Sequence, residues 1–152
     1  DEFSIMPSSV RLSDGGLITA VRKRQIVESR QQNGIGIYCC GDEGKTWNCL
    51  DVGWAFDTGG KSGNPPHLIR LHDGRLCLTY GYRTEPFEIR AVLADTADVL
   101  WKEPIVIRSG AACHDMGYVR TIQRPDGKLV AVYYWCPTEF GERTIEATIW
   151  EA

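Results

Sequence analysis

Hydrophobic residues in this chain come in short runs broken by glycine, proline and aspartate, such as "LITAV" (17–21), "LCLTY" (76–80) and "LVAVY" (129–133). Apolar runs this short, flanked by turn residues, predict β-strands rather than helices. In the first run both alternating sets are largely apolar, with Leu17, Thr19 and Val21 on one side and Ile18 and Ala20 on the other. A strand of that kind belongs between two layers, not on a half-wet sheet. The one segment with a helical leaning, "LADTADVLW" (93–101), is short and poorly capped.

The pattern repeats. "SSVRLSDGGLITAV" (8–21), "HLIRLHDGRLCLTY" (67–80) and "RTIQRPDGKLVAVY" (120–133) align without a gap, each with an apolar run, an Asp-Gly pair and a second run starting at Leu17, Leu76 or Leu129. Asp-Gly suits a tight hairpin because Gly takes positive φ without penalty and Asp tolerates the bend. A second hairpin follows the first in two copies, "GIGIYCCGDEGKTWNCLDV" and "FEIRAVLADTADVLWKEPIVI", whereas the third has only "RTIEATIWEA". A tryptophan (Trp47, Trp101, Trp150) is expected after each third strand. Four-stranded units recurring at roughly this period are the mark of a β-propeller. The expected fold is all-β, with about three four-stranded blades at about 6–56, 64–110 and 117–152, the last lacking its outer strand. The competing arrangement, three unrelated hairpins of a sandwich, leaves the shared register and the recurring tryptophan without a cause.

Composition narrows the partners. The chain is 43% hydrophobic and 24% charged with a net charge of -3, so it has no basic footprint for nucleic acid. No apolar run approaches the about 20 residues of a membrane-crossing helix. The opening "DEFSIMPSSV" has neither the basic nor the apolar region of a signal peptide and does not begin with Met. Localisation stays open. Of six cysteines, Cys39 and Cys40 are adjacent, Cys77 sits in an apolar run, and Cys49, Cys113 and Cys136 are scattered without a CxxC pair. That spacing favours mostly free, buried thiols over a disulfide framework or a zinc knuckle. His67, His72 and His114 are too dispersed for a metal triad, and neither metal nor cofactor is expected.

The stretch "CGDEGKTW" (40–47) resembles the Asp-box, S-x-D-x-G-x-T-W, of sialidases and other BNR-repeat propellers. In that motif Asp42 accepts hydrogen bonds from its own turn, Gly44 takes a conformation costly for other residues, Thr46 completes the turn and Trp47 packs beneath the hairpin. Cys40 stands where Ser is usual, which weakens or removes one turn hydrogen bond. "ADTADVLW" is a degenerate second copy. Together with "GNPPHLIRLHDGRLCLTYGYR" and "DMGYVRTIQRPDGKLVAVYYW", these segments are similar to the C-terminal half of the sialidase-like family, whose members form six-bladed propellers. Three blades would be half of one.

The resemblance implies a ligand site on the rim where first strands begin and second strands end. It implies an exo-acting, retaining glycoside hydrolase on a terminal anionic sugar, with Tyr118 in "GYVRT" as the nucleophile, since sialidases use tyrosine in place of a second carboxylate. Tyr118 could equally be an aromatic closing a central channel. Arg24 and Arg83 occupy equivalent repeat positions; guanidinium forks suit a sugar carboxylate, and an ion pair to the next blade is the alternative. Arg120 and Asp115 would flank Tyr118 or pair with each other, and Asn64 would orient a hydroxyl or form an ordinary turn. No segment matches the family's acid/base Asp, its first Arg or the Glu that activates tyrosine. A non-catalytic glycan- or protein-binding module, or an inactive fragment, therefore stands beside the enzyme reading. Three blades alone expose apolar faces, so either a preceding half or a second copy closing a six-bladed ring is expected to cover them.

Overall fold

The computed structural model describes residues 2–50, 56–60, 62–95 and 100–152. Every regular element among them is a strand, and the strands form three antiparallel sheets. In the first, β1 (Phe3–Arg11), β2 (Leu17–Val27) and β3 (Arg30–Cys40) make a meander, and β4 (Asn48–Cys49) and β5 (Phe56–Asp57) both pair with β3. In the second, β6 (His67–Arg70), β7 (Leu76–Tyr82) and β8 (Glu88–Asp95) do the same, with β9 (Leu100–Trp101) and β10 (Ile105–Ser109) both on β8. The third holds β11 (Gly117–Gln123), β12 (Leu129–Trp135) and β13 (Thr144–Trp150).

The three leading hairpins share one register. Ser8 faces Ala20, His67 faces Thr79 and Arg120 faces Val132, so Leu17, Leu76 and Leu129 stand at equivalent places. Turn chemistry fixes this. Gly15, Gly74 and Gly127 take φ of +89°, +93° and +86°. Asp14, Asp73 and Asp126 each accept the N–H two residues on, at 2.9, 3.0 and 3.2 Å. The sequence-local bond that closes an Asx turn therefore recurs three times.

Stacking buries the second sheet on both faces. Leu76, Leu78, Tyr80, Val92 and Ala94 pack on Ile18, Ala20, Ile35 and Ile37 of the first sheet. On the other face, Cys77, Ala91 and Leu93 meet Leu129, while Ile89 packs with Met116, Val119, Ala131 and Tyr133. Each such aliphatic or aromatic side chain contributes about 1.5–3 kcal/mol on full burial. The third sheet is covered on one side only: Ile122, Ile145 and Ile149 are 64%, 76% and 55% exposed. The expectation of two-sided burial thus holds for β7 and fails for β12, whose burial alternates.

First strands lie side by side, β6 between β1 and β11. Ser8 Oγ accepts the Leu68 N–H at 2.9 Å, and at the equivalent position His67 Nδ1 accepts the Thr121 N–H at 3.0 Å. Arg120 is the third member of this series, and its guanidinium is a donor only.

Four local expectations change. Trp47 is 41% exposed rather than packed under its hairpin, because it precedes the paired residues of β4; Trp101 and Trp150 lie inside β9 and β13 and pack on the core. The helical leaning of 93–101 is not realised at Leu93–Asp95 or Leu100–Trp101, which are strand; residues 96–99, with the turn of "ADTADVLW", lie outside the described residues. Cys113 and Cys136 form a disulfide, leaving Cys39, Cys40, Cys49 and Cys77 free, with Cys49 exposed. The bond was hidden from a reading of spacing because it joins the approach to β11 with the exit of β12. Finally, Cys40 keeps the turn bonds expected to weaken or vanish. Its thiol donates to Asp42 Oδ1 at 2.9 Å, and its sulfur accepts the Gly44 N–H at 3.0 Å. Asp42 also takes the Thr46 N–H at 2.8 Å and the Thr46 hydroxyl at 2.6 Å, and these bonds, led by that from Cys40, pull its carboxyl down to about 2.

Candidate functional site

Three sheets send side chains to one rim. Tyr118 opens β11 at φ +51°, a left-handed conformation that a bulky residue adopts only when its surroundings enforce it. Asn64, just before β6, does the enforcing. Its Oδ1 accepts the Tyr118 N–H at 3.0 Å and the Gly81 N–H at 3.3 Å, and its Nδ2 donates to the Met116 carbonyl at 3.0 Å. Gly117 makes room: a Cβ there would stand 2.6 Å from Asn64 Oδ1, and its φ is +115°. Asn64 is fully buried with its amide committed to backbone, so it positions Tyr118 rather than meeting a ligand.

Arg83 follows β7 and is buried. Nε and Nη2 both donate to the Met116 carbonyl at 3.1 Å, and Nη2 donates to the Tyr134 hydroxyl at 2.7 Å. Tyr134, on β12, donates its hydroxyl hydrogen bond to Asp115 Oδ1 at 2.8 Å, and Arg143 Nε donates to Asp115 Oδ2 at 3.1 Å. Burial pushes the Tyr134 phenol up to about 12, so it remains a donor. The Tyr134 bond, then Arg143 and Arg83, hold the Asp115 carboxyl below its usual range. The Tyr118 and Tyr134 rings lie 5.7 Å apart, and the Arg83 guanidinium is 5.9 Å from the Tyr118 ring centre.

Arg22, on β2, completes the cluster. It is buried, hydrogen-bonds the Ser62 carbonyl and the Met6 sulfur, and faces the Tyr118 hydroxyl. Its Nε–H is buried without a hydrogen-bond partner among the described residues. Burial lowers its pKa, as do the neighbouring charges of Arg83 and Arg24, while Tyr118 opposes the shift. Arg24 lies one alternation further along β2, its Nε donating to Asn33 Oδ1 at 3.2 Å and its guanidinium 4.7 Å from the Phe3 ring centre.

Of the residues singled out from sequence, Tyr118, Arg83, Asp115 and Asn64 therefore share one network, and Arg24 adjoins it through Arg22. Arg120 does not join. It donates to the Val119 carbonyl and turns its charge towards His67, while Asp115 pairs with Arg143 instead. Asp42, Gly44, Thr46 and Trp47 belong to the turn after β3, outside this network. Arg22, Tyr134 and Arg143 were missed. Strand alternation offered a signal for Arg22, since residues 22 and 24 share a face; the reach of Arg143 across the sheet end had none. Among the described residues no three His, Cys, Asp or Glu side chains converge as metal ligands do.

The cluster is rich in guanidinium and poor in free carboxylate, an arrangement that attracts an anionic group. No protein-family model matches the sequence, and no curated protein matches it. Solved structures do. A protein of unknown function from Dyadobacter fermentans shares 25% identity at a TM-score of 0.76, over 97% of this chain and 38% of its own. The α-L-arabinanase of Penicillium chrysogenum, complexed with arabinobiose, matches at 16% identity and 0.70, over 96% and 45%. A Hadza microbial sialidase matches at 19% and 0.63, over 96% and 34%. An α-L-arabinofuranosidase from Fusarium graminearum and an endo-arabinase from Bacteroides thetaiotaomicron align similarly. The chain thus spans less than half the length of the first of these structures. The arabinan-directed proteins and the sialidase are β-propeller glycoside hydrolases, and the likeness defines the class of fold: the antiparallel sheets stack as propeller sheets do.

Proposed function

We propose that this chain is part of a sialidase-like glycoside hydrolase, exo-acting and retaining, in which Tyr118 attacks the anomeric carbon of a terminal anionic sugar. The observation that carries the reading is Tyr118, held at positive φ by Asn64, with buried Arg22 in its neighbourhood and its ring beside buried Arg83. Backbone strain at a rim residue is a mark of function when the surrounding structure pays for it. In the reaction the phenol oxygen bonds to the anomeric carbon as the glycosidic C–O bond breaks. The leaving oxygen takes the proton that the phenol gives up, and water then adds its hydroxyl to the anomeric carbon and returns a proton to the tyrosine oxygen. Arg22 and Arg24 hold the sugar carboxylate; Arg83 and Asn64 position the Met116–Tyr118 segment. The turn at 40–47 supports the same family, since its bonds are those of an Asp-box with a thiol in place of the hydroxyl. Half of a six-bladed ring, completed by a preceding half or a second copy, accounts for the uncovered face of the third sheet.

The second reading is a propeller surface that binds a glycan without cleaving it. It draws on the described residues around Tyr118, none of which is a carboxylate hydrogen-bonded to its hydroxyl. Fluorogenic α-sialoside and α-L-arabinofuranoside substrates separate the cases. Sialoside turnover that disappears in Tyr118→Phe is expected. Arabinoside turnover alone would remove the anionic-sugar assignment, and binding of either sugar without turnover would leave the second reading.

A further inference from the structure

Beside the arginine cluster runs a groove of about 380 Å³ lined by Gln31, Gln32, Asn33, Asp57, Gly59 and Gly60. That volume is at the small end of the about 300–1,000 Å³ typical of ligand sites. One wall is the start of β3 and the other is the segment from β5 to Gly60. The floor is rigid. Buried Asn33 donates to the Gly59 carbonyl at 3.3 Å, and the Thr58 N–H donates to the Asn33 carbonyl at 3.2 Å. Asp57 Oδ1 accepts the Gly59 N–H at 2.7 Å, closing the turn that shapes the second wall.

Both walls are tied to the arginines. Asn33 Oδ1 accepts from Arg24 Nε, and the Arg83 N–H donates to the Thr58 carbonyl at 2.9 Å. Gly59, at φ +86°, packs so closely on Arg83 that a Cβ would stand 2.6 Å from the Thr84 nitrogen. The groove therefore adjoins Arg24 through Asn33.

The geometry points to this groove as a second sugar subsite, taking the neutral sugar to which a terminal anionic residue is linked. The lip offers two exposed amides and a carboxylate, Gln31, Gln32 and Asp57, which donate and accept as a pair of neighbouring sugar hydroxyls requires. The six lining residues among those described are polar or glycine, which suits recognition of a neutral sugar by hydrogen bonds. The subsite rests on the reading of the arginine cluster as the place of the terminal residue.

The test uses four probes on the whole protein: methyl α-sialoside, 3′-sialyllactose, lactose and arabinobiose. Affinities come from calorimetry, and occupancy of the groove from the side-chain amide NMR signals of Gln31 and Gln32. Sialyllactose is expected to bind more tightly than methyl sialoside; Asp57→Asn should cut that advantage by about tenfold, the worth of a hydrogen bond to a charged group, and Gln31→Ala by about fivefold, that of a neutral one. Affinity for methyl sialoside should stay unchanged in both variants, which also reports that the fold is intact. If neither sialoside binds while lactose or arabinobiose shifts the two amides, the anionic-sugar reading fails, the groove's affinity for neutral sugars stands, and its pairing with a terminal anionic residue is overturned. If neither neutral disaccharide shifts them, or if both substitutions leave the advantage of the trisaccharide intact, the subsite is overturned.

Discussion

His67 Nδ1 accepts the backbone N–H of Thr121 at 3.0 Å across the seam between the second and third sheets. That bond requires a neutral ring. Burial, reinforced by the nearby Arg120 charge, lowers the His67 pKa from its usual 6.5. The unfolded chain then binds the proton more readily than the folded one, so the stabilisation is complete above 6.5 and is lost as pH falls through the folded value. Melting temperature should drop between neutral pH and pH 5. His67→Gln, which keeps an acceptor but cannot titrate, should flatten that slope; an unaltered slope would remove His67 as its source.

Gly117 and Gly127 both take positive φ, but only Gly117 has no room for a side chain. Gly127→Ala should cost about 1 kcal/mol, the price of the backbone conformation. Gly117→Ala must also displace Asn64, and should cost roughly 3 kcal/mol or more, with loss of the sialoside binding proposed above. Urea denaturation of the two variants measures the difference, and equal costs would show that the Asn64 contact is not what constrains this position.

The Cys113–Cys136 disulfide closes a separation of 23 residues beside Asp115 and Met116. Chain-entropy arguments give about 3 kcal/mol for a loop of that size. Cys113→Ser should lower stability by about this amount and weaken ligand binding, because the approach to Tyr118 loses its tether. Melting curves with and without a phosphine reductant check it: reductant should lower the wild-type melting temperature and leave the variant unchanged.

The uncovered face of β11 to β13 should drive association of the isolated chain. Sedimentation velocity is expected to show dimers or larger species at micromolar concentration. Ile122→Lys with Ile145→Lys, two exposed positions on that face, should shift the chain towards monomer without lowering its melting temperature. A wild-type monomer at all concentrations would contradict the role assigned to this surface.

Much of the architecture follows from short-range chemistry. An Asp-Gly pair between apolar runs closes the same turn at 14–15, 73–74 and 126–127, so the shared hairpin register could be read from residues four or five apart. Departures begin where a residue's surroundings come from elsewhere. Trp47 carries the motif that should bury it, yet it lies just outside the pairing of β4. Cys113 and Cys136 have no telling spacing, yet the hairpin brings them together. Repeat alignment selected Arg24, whereas stacking drove Arg22 beneath Ser62 and against Tyr118.

The amino-acid sequence alone determined that strands form, where they turn and that the hairpins are copies of one another, since these depend on backbone preferences and a period of two. Only the tertiary structure decided which charges meet at Tyr118. Arg22 and Tyr134 belong to the first and third sheets and Arg83 follows a strand of the second, and their positions depend on how one sheet rests on the next, a relation carried by side-chain packing between segments distant along the chain.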